Sequence, residues 1–410
     1  MNIEYPSSVA QMSNCDKRKS RRGRAAKTRL LLSALVAALM ALSAASCGLV
    51  DSGGDSSGDD GSGPIILGQT APHSGESALL GETTNGLQAY FDKVNAEGGV
   101  HGREIKLVSL DDGYDPARTV QSLRLLQSKH NALADVGPVG SPTTSAALPI
   151  AEANNFPVVA PQTGASSFYE EPIPEILFLS FPDYFVDGKT LGEFAAEKGF
   201  ERVGVLYQND DFGKSILKGV ESTEANIVAK LPYDVTQTDF APQAIELKSA
   251  NVDAVILITL VGTTVKFMPA MQSVDFRPEI LLSQSSATAE LIGTVGEPIQ
   301  DAYISAFIPP LWDTKDDQVK EFRDAMEKYQ PGKGISSYAA WGWLSAQIAV
   351  AGLQQSESPL NTDAYVSGMN QVSDLSTIGG DVSYGEDDHV GLDKMFMLQI
   401  KGDRFVRVEE

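Results

Sequence analysis

Cysteine and histidine are scarce in this 410-residue chain, and both shortages exclude kinds of chemistry. The only two cysteines, Cys15 and Cys47, lie within the first 47 residues. The rest of the chain therefore has no disulfide bond and no thiol nucleophile. The four histidines show no metal-ligand spacing, so neither a metal nor another cofactor is predicted. Without disulfide bonds, the remaining part of the chain, about 360 residues, must be stabilised by apolar cores. That length is enough to form two such cores.

Motifs that mark common enzyme classes are missing as well. The chain contains no nucleophile elbow, no phosphate-binding P-loop and no dinucleotide fingerprint. Residues 211–213 spell the kinase tripeptide Asp-Phe-Gly, but no phosphate loop precedes them. We therefore predict that the chain is not an enzyme. A hydrolase acting on an amide or ester ranks third, after the two binding functions described below.

Positive charge is in short supply. The chain has 32 basic and 54 acidic residues, which gives a formal net charge of −22. So acidic a protein is not built to bind nucleic acid or an anionic bilayer surface.

The first 47 residues have the pattern of a bacterial secretion signal. Several basic residues between positions 17 and 29 precede an apolar run from Leu30 to Ala45, which is short for a membrane span. The letters AASCG around Cys47 resemble a lipobox, in which the cysteine becomes the lipidated first residue. We predict a lipid on Cys47 that holds the protein on the extracytoplasmic face of the cell membrane. Residues 48–64 are dominated by Gly, Ser and Asp and would form a flexible linker.

From residue 65 onward, short apolar runs alternate with helical patterns, which indicates an α/β fold with parallel sheets. Asp115 followed by Pro116 predicts a helix start. The alternation restarts near residue 203, so we predict two doubly wound parallel-sheet lobes, formed by residues 65–182 with 308–380 and by residues 183–307 with 381–410. The helix around Tyr338–Leu353 would belong to the first lobe. The predicted strands are 65–68, 105–110, 132–136 and 157–160 in the first lobe, and 203–207, 227–231, 254–259, 280–282 and 302–307 in the second.

Two loops of small and polar residues follow successive strands of the first lobe. The first is Gly137–Gly140, after which Ser141 is the predicted N-cap of a helix that runs to about Asn154. The second is Pro161–Gly164. In open α/β sheets, ligands bind beyond the carboxyl ends of the strands, near helix N-termini. Ser141, Thr143, Gln162 and Thr163 would face such a crevice, although capping and turn roles are the alternative for each alone.

Three stretches together resemble a known family. They read APHSGESALLGETTNGLQAYFDKVNAEGGVHGREIKLVSLDDGYDP, GPVGSPTTSAALPIAEANNFPVVAPQTG and RVGVLYQNDDFGKS. In order and spacing the chain is similar to the branched-chain amino-acid (leucine/isoleucine/valine) binding family of type I periplasmic solute-binding proteins. The resemblance implies two lobes joined by three hinge crossings, a small-molecule ligand held between them by hinge closure, and delivery of that ligand by a monomeric protein to the permease of an ABC importer.

The resemblance also implies which residues bind the ligand. Ser141 matches the serine that holds the ligand carboxylate, and the next loop of the site matches Gln162, Thr163 and Gly164. The family's cleft aromatics match Leu80, Phe212 and Leu260. The acidic residue that pairs with the ligand ammonium falls near Gln284.

The leucines in place of family aromatics and the glutamine in place of the acidic residue change the expected ligand. A buried ammonium group without a carboxylate partner is unfavourable by several kcal/mol, and Gln284 offers only a dipole. We therefore expect a small organic acid with an apolar or aromatic body, or a small amide or urea. Amino acids stay open, because Asp210 or Asp211 would supply the missing charge. A sensory lipoprotein that signals to a membrane partner is the alternative to a transport component.

Overall fold

The computed structural model describes residues 63–408. The predicted signal segment, Cys47 and most of the predicted linker lie outside these residues.

The described residues alternate strands with helices along most of their length. The strands are β1 Ile65–Ala71, β2 Ile105–Asp111, β3 Asp135–Val136, β4 Val158–Val159, β5 Leu177–Phe178, β6 Val203–Gln208, β7 Ile227–Tyr233, β8 Ala254–Ile258, β9 Glu279–Leu282, β10 Tyr303–Ala306, β11 Leu375–Thr377, β12 Gly380–Val382, β13 Phe396–Lys401 and β14 Arg404–Arg407. The helices are α1 Thr83–Ala96, α2 Pro116–Ser128, α3 Ser141–Ala153, α4 Tyr184–Glu197, α5 Asp211–Glu221, α6 Ala241–Ser249, α7 Val261–Ser273, α8 Ala289–Val295, α9 Asp317–Tyr329, α10 Ser337–Gln355 and α11 Thr362–Met369.

The first lobe is built on a parallel sheet with the strand order β2-β1-β3-β4-β5. Its central strands are almost entirely buried, as expected for parallel strands covered on both faces. Asp115 caps α2 as predicted, because its carboxylate accepts hydrogen bonds from the N–H groups of Ala117 and Arg118 at 2.8 and 3.1 Å. The late helix α10 packs against α1, so we assign it to this lobe.

The second lobe is built on a larger sheet with the order β14-β13-β10-β9-β8-β6-β7. The five predicted strands are present and parallel to one another. The sequence-based prediction missed β13 and β14, which extend this sheet in antiparallel fashion beside β10. The second lobe is therefore a mixed sheet with an antiparallel edge, and its last two strands come from the C-terminal end of the described chain.

The chain crosses between the lobes after β5, after β10 and before β13. An isolated parallel bridge joins Leu179 to Val390, and it keeps the segment around residue 390 beside the first sheet. We therefore place the last crossing at residues 391–395, later than the predicted boundary at residue 381. No helix within residues 63–408 is both long enough and apolar enough to span a bilayer.

Candidate functional site

A narrow cleft lies between the two lobes, where the carboxyl ends of parallel strands from both sheets meet. Five of the eight predicted binding residues line it together: Leu80, Ser141, Gln162, Phe212 and Leu260. Ser141 and Gln162 follow strands of the first sheet, whereas Phe212 and Leu260 follow strands of the second. The cleft is therefore built where ligands of open α/β sheets bind.

The backbone at Gly140 sets the start of α3 and the position of Ser141. The helix begins at Ser141 and its N-cap is Gly140, so the prediction that Ser141 is the N-cap was wrong by one residue. Gly140 has φ 101°, and a Cβ atom there would lie 2.5 Å from Cε2 of Tyr114. Only glycine fits this position without strain. Because Ser141 stands inside the first turn, its hydroxyl is not used for capping.

Three hydroxyl groups cluster at the N-terminus of α3. The Ser141 Oγ and Thr163 Oγ1 atoms lie 2.8 Å apart, and both residues are buried. The hydroxyl of Tyr184, at the start of α4, lies beside them: burial raises the pKa of Tyr184, while hydrogen bonding to Thr163 and Ser141 opposes that rise. Tyr184 therefore stays protonated, and the cluster presents O–H donors next to the partial positive charge of a helix N-terminus.

The loops after β3 and β4 are paired to each other through their backbones. The N–H of Gln162 donates to the Pro138 carbonyl at 2.8 Å, and Val139 forms an isolated bridge with Gln162. The side chain of Gln162 is 3% exposed, and neither amide atom has a hydrogen-bond partner among the described residues. A buried, unpaired amide is costly, so this side chain has hydrogen-bonding capacity to offer inside the cleft.

The rest of the cleft surface is apolar. The rings of Tyr184 and Phe212 meet edge to face, with centroids 5.3 Å apart and planes at 77°. Leu80 and Leu260 complete this surface. The space enclosed is about 20 Å³, which is room for about one water molecule. An organic ligand can therefore enter only when the lobes move apart.

The other three predicted residues lie near the cleft without lining it. Thr163 is fully buried behind Ser141. A Cβ atom on Gly164 would lie 2.1 Å from the Pro182 carbonyl oxygen, so this glycine allows the first crossing to pass closely. Gln284 lines a separate cavity next to the cleft.

Several residues that line the cleft were missed by the sequence-based prediction: Tyr114, Val139, Gly140, Tyr184, Ser285 and Trp341. Tyr114 follows β2 at the same sheet edge as the predicted loops, which is a signal that the sequence offered. Tyr184 and Trp341 sit on helices, and nothing in their local pattern distinguishes a cleft residue from a core residue.

The cleft is neutral. No residue that lines it in the described part of the chain is charged. Asp210, one of the two residues considered as an ammonium partner, is engaged elsewhere: it accepts a hydrogen bond from Gln208 and caps α5 through the Gly213 N–H at 3.3 Å. Asp211, the other, is exposed on the first turn of α5. Neither residue lines the cleft as a partner for an ammonium group.

Among residues 63–408, no group of three or more His, Cys, Asp or Glu side chains is arranged to hold a metal ion. The chemistry of the cleft comes from hydroxyl groups, one amide and apolar surface.

Comparisons with known proteins agree with this architecture. Residues 64–404 match the family model described as periplasmic binding protein. The Leu/Ile/Val-binding protein homolog 7 of Brucella abortus (strain 2308) is 24% identical over 313 residues, covering 72% of this chain and 78% of the relative.

Solved structures share the fold. A possible leucine/isoleucine/valine-binding protein from Rhodopirellula baltica SH 1 superposes with a TM-score of 0.78 and 23% identity, covering 85% of this chain and 96% of that one. A fatty acid ABC transporter substrate-binding protein from Thermomonospora curvata gives a TM-score of 0.76 and 23% identity, covering 85% and 92%.

Proposed function

We propose that this chain captures a small carboxylate-bearing solute for an ABC importer, because it belongs to the branched-chain amino-acid binding family of type I periplasmic binding proteins. This family is a solute-binding and non-enzymatic type that works outside the cytoplasm. The ligand would sit between the lobes and be enclosed when they close. A lipid on Cys47 would keep the protein, as a monomer, near its permease.

The observation that carries this proposal is the hydroxyl cluster at the start of α3. Ser141 and Tyr184 line the cleft and offer neutral O–H donors to an acceptor, while the Thr163 hydroxyl is bonded to Ser141 behind them. A carboxylate accepts several such bonds, and the helix N-terminus favours its negative charge. An anionic group is therefore the ligand end that this part of the cleft suits best.

The rest of the cleft suits an apolar body better than an ammonium group. Leu80, Phe212 and Leu260 face the cleft, and no carboxylate side chain lines it among the described residues. Burying an unpaired ammonium group would be strongly unfavourable. An apolar or aromatic organic acid fits these contacts better than a zwitterionic amino acid. One structural neighbour is described as a fatty acid ABC transporter substrate-binding protein, and this description is compatible with an organic acid as the ligand.

A small amide or urea is the second candidate, and Gln162 is the observation that favours it. Its buried amide has both a free donor and a free acceptor. An amide ligand would pair with both atoms, whereas a carboxylate would pair only with the N–H₂ group.

A thermal-unfolding panel of matched ligands tests the proposal. Each set would contain an acid, its amide and its amino acid on the same apolar body, for example 4-methylpentanoate, 4-methylpentanamide and leucine. A ligand at one hundred times its Kd should stabilise the protein by about 2.7 kcal/mol, which raises the melting temperature by several degrees. The proposal predicts the largest rise with the acid. A largest rise with leucine would restore an amino-acid ligand, and one with the amide would favour the second candidate.

A further inference from the structure

A larger cavity lies beside the second crossing between the lobes. Its volume is about 160 Å³. Ile308, Pro309 and Leu311 of the crossing form part of its wall, Leu398 comes from the second lobe, and Ile335 precedes α10 of the first. An occupant would therefore contact both lobes and stabilise their relative arrangement.

Trp341 separates this cavity from the cleft and borders both. Its ring is held by aromatic neighbours: the centroids of Phe181 and Tyr338 lie 5.0 Å away, and that of Phe307 lies 6.3 Å away in a stacked arrangement. The residue is 4% exposed. Because the partition is packed on several sides, the cavity is a compartment of its own and not an extension of the cleft.

One polar side chain in the cavity has no partner. Gln284 is 3% exposed, and neither Nε2 nor Oε1 is hydrogen-bonded among the described residues. Its backbone N–H is held by the buried carboxyl group of Asp187, which fixes the residue in place. A buried amide of this kind costs free energy unless something in the cavity bonds to it.

The charged side chains around the cavity are already engaged. Arg323 donates to the Leu311 carbonyl at 2.9 Å. Arg404 is paired with Asp403 at 3.4 Å and stacks 5.4 Å from the ring centroid of Trp312. The cavity therefore offers an apolar wall and one neutral amide, which do not suit an ion.

We propose that this cavity is a second binding site, distinct from the cleft, for a small uncharged molecule with an apolar body and one hydrogen-bonding group that Gln284 holds. Its volume matches that of an engineered apolar cavity of about 150 Å³ that binds benzene. A six-membered ring or a short branched chain bearing an alcohol or amide has the right size and chemistry.

The test uses two probes of nearly equal shape, benzyl alcohol and toluene, titrated into the full chain. Tryptophan fluorescence is a direct readout, because Trp312 and Trp341 both line the cavity. Both probes should bind saturably, and benzyl alcohol should bind more tightly. Gln284→Met should weaken benzyl alcohol about 2- to 12-fold, the value of one neutral hydrogen bond, and should leave toluene unchanged.

Two further variants locate the probes. Ala289 is exposed at the rim of the cavity, so Ala289→Trp should weaken both probes without disturbing the core. Ser141→Ala changes only the cleft and should leave both affinities unchanged. Absence of saturable binding, or a loss of probe binding in Ser141→Ala, would overturn the second site. Neither result would bear on the cleft, whose own ligands are tested by the panel of acids, amides and amino acids.

Discussion

Single buried carboxyl groups make the stability of this protein depend on pH. Burial raises the pKa of Asp187 to about 7, and it does the same for Asp135. Asp187 accepts hydrogen bonds from the Ser305 hydroxyl and the Gln284 N–H, but its Oδ2 atom has no partner among the described residues. Both groups hold protons in the folded state that the unfolded chain releases near pH 4.

We expect Asp187→Asn to reduce the pH dependence of stability. A raised folded-state pKa stabilises the fold fully below pH 4, and this contribution is lost as the pH rises through 7. The wild-type free energy of unfolding should therefore fall between pH 5 and pH 8. In the variant, this fall should be smaller by about 2 kcal/mol. Urea denaturation at both pH values measures the free energy of unfolding of each protein. The exposed Asp234→Asn is the control, and an unchanged fall in Asp187→Asn would refute the assignment.

At the scale of elements, the start of α3 determines the geometry of the hydroxyl cluster. Gly140→Ala should destabilise the protein by about 1–3 kcal/mol through backbone strain, with a further loss because the new Cβ atom meets Tyr114. Gly98 has a similar φ of 109° but no atom within 4 Å of the corresponding Cβ position. The loss of stability in Gly98→Ala therefore measures the backbone strain without a side-chain clash. Guanidinium unfolding should show a larger cost at Gly140, and equal costs would mean that the contact with Tyr114 is unimportant.

Most elements could be predicted because local patterns dictate them. The buried parallel strand β8 is a continuous apolar run, and β1 begins with one. The strand β14 was missed because it lies at a sheet edge, where three of its four residues are exposed and two are arginines. Its pairing depends on distant residues, which no local pattern reveals.

The site was predictable only in part, for a related reason. Ser141 and Gln162 follow strand ends, so the fold class alone places them at the crevice. Leu80, Phe212 and Leu260 were located by the family resemblance. Tyr184 and Trp341 reach the cleft from helices that also build the core, and only the three-dimensional packing separates those two roles.

At the scale of the whole molecule, direct contacts join the lobes around the cleft. Lys266 Nζ on α7 lies 2.6 Å from Glu76 Oε2 in the loop after β1. The Tyr338 hydroxyl donates to the Ser285 carbonyl at 2.7 Å, and the Ser166 N–H donates to Ser215 Oγ at 3.1 Å. Because these bonds join the two lobes, we expect them to break when the lobes move apart and therefore to favour retention of a ligand.

We expect Lys266→Gln to weaken ligand binding about two- to fivefold, mainly through faster dissociation, because the ion pair is exposed and screened by salt. Lys189→Gln is the matched control, since Lys189 pairs with Glu193 within α4 and does not bridge the lobes. Stopped-flow dissociation at low and high salt measures the effect. Equal rates in the two variants would show that this ion pair has no part in closure.

The central claim is that the cleft holds a carboxylate through the hydroxyl cluster, and isothermal titration of Ser141→Ala tests it most directly. The titrant is the acid that stabilises the wild-type protein best. Loss of one charge-assisted hydrogen bond should weaken binding about 10- to 150-fold. Ser145→Ala, one turn further along α3, should bind as the wild-type protein does. Wild-type affinity in Ser141→Ala would contradict the account.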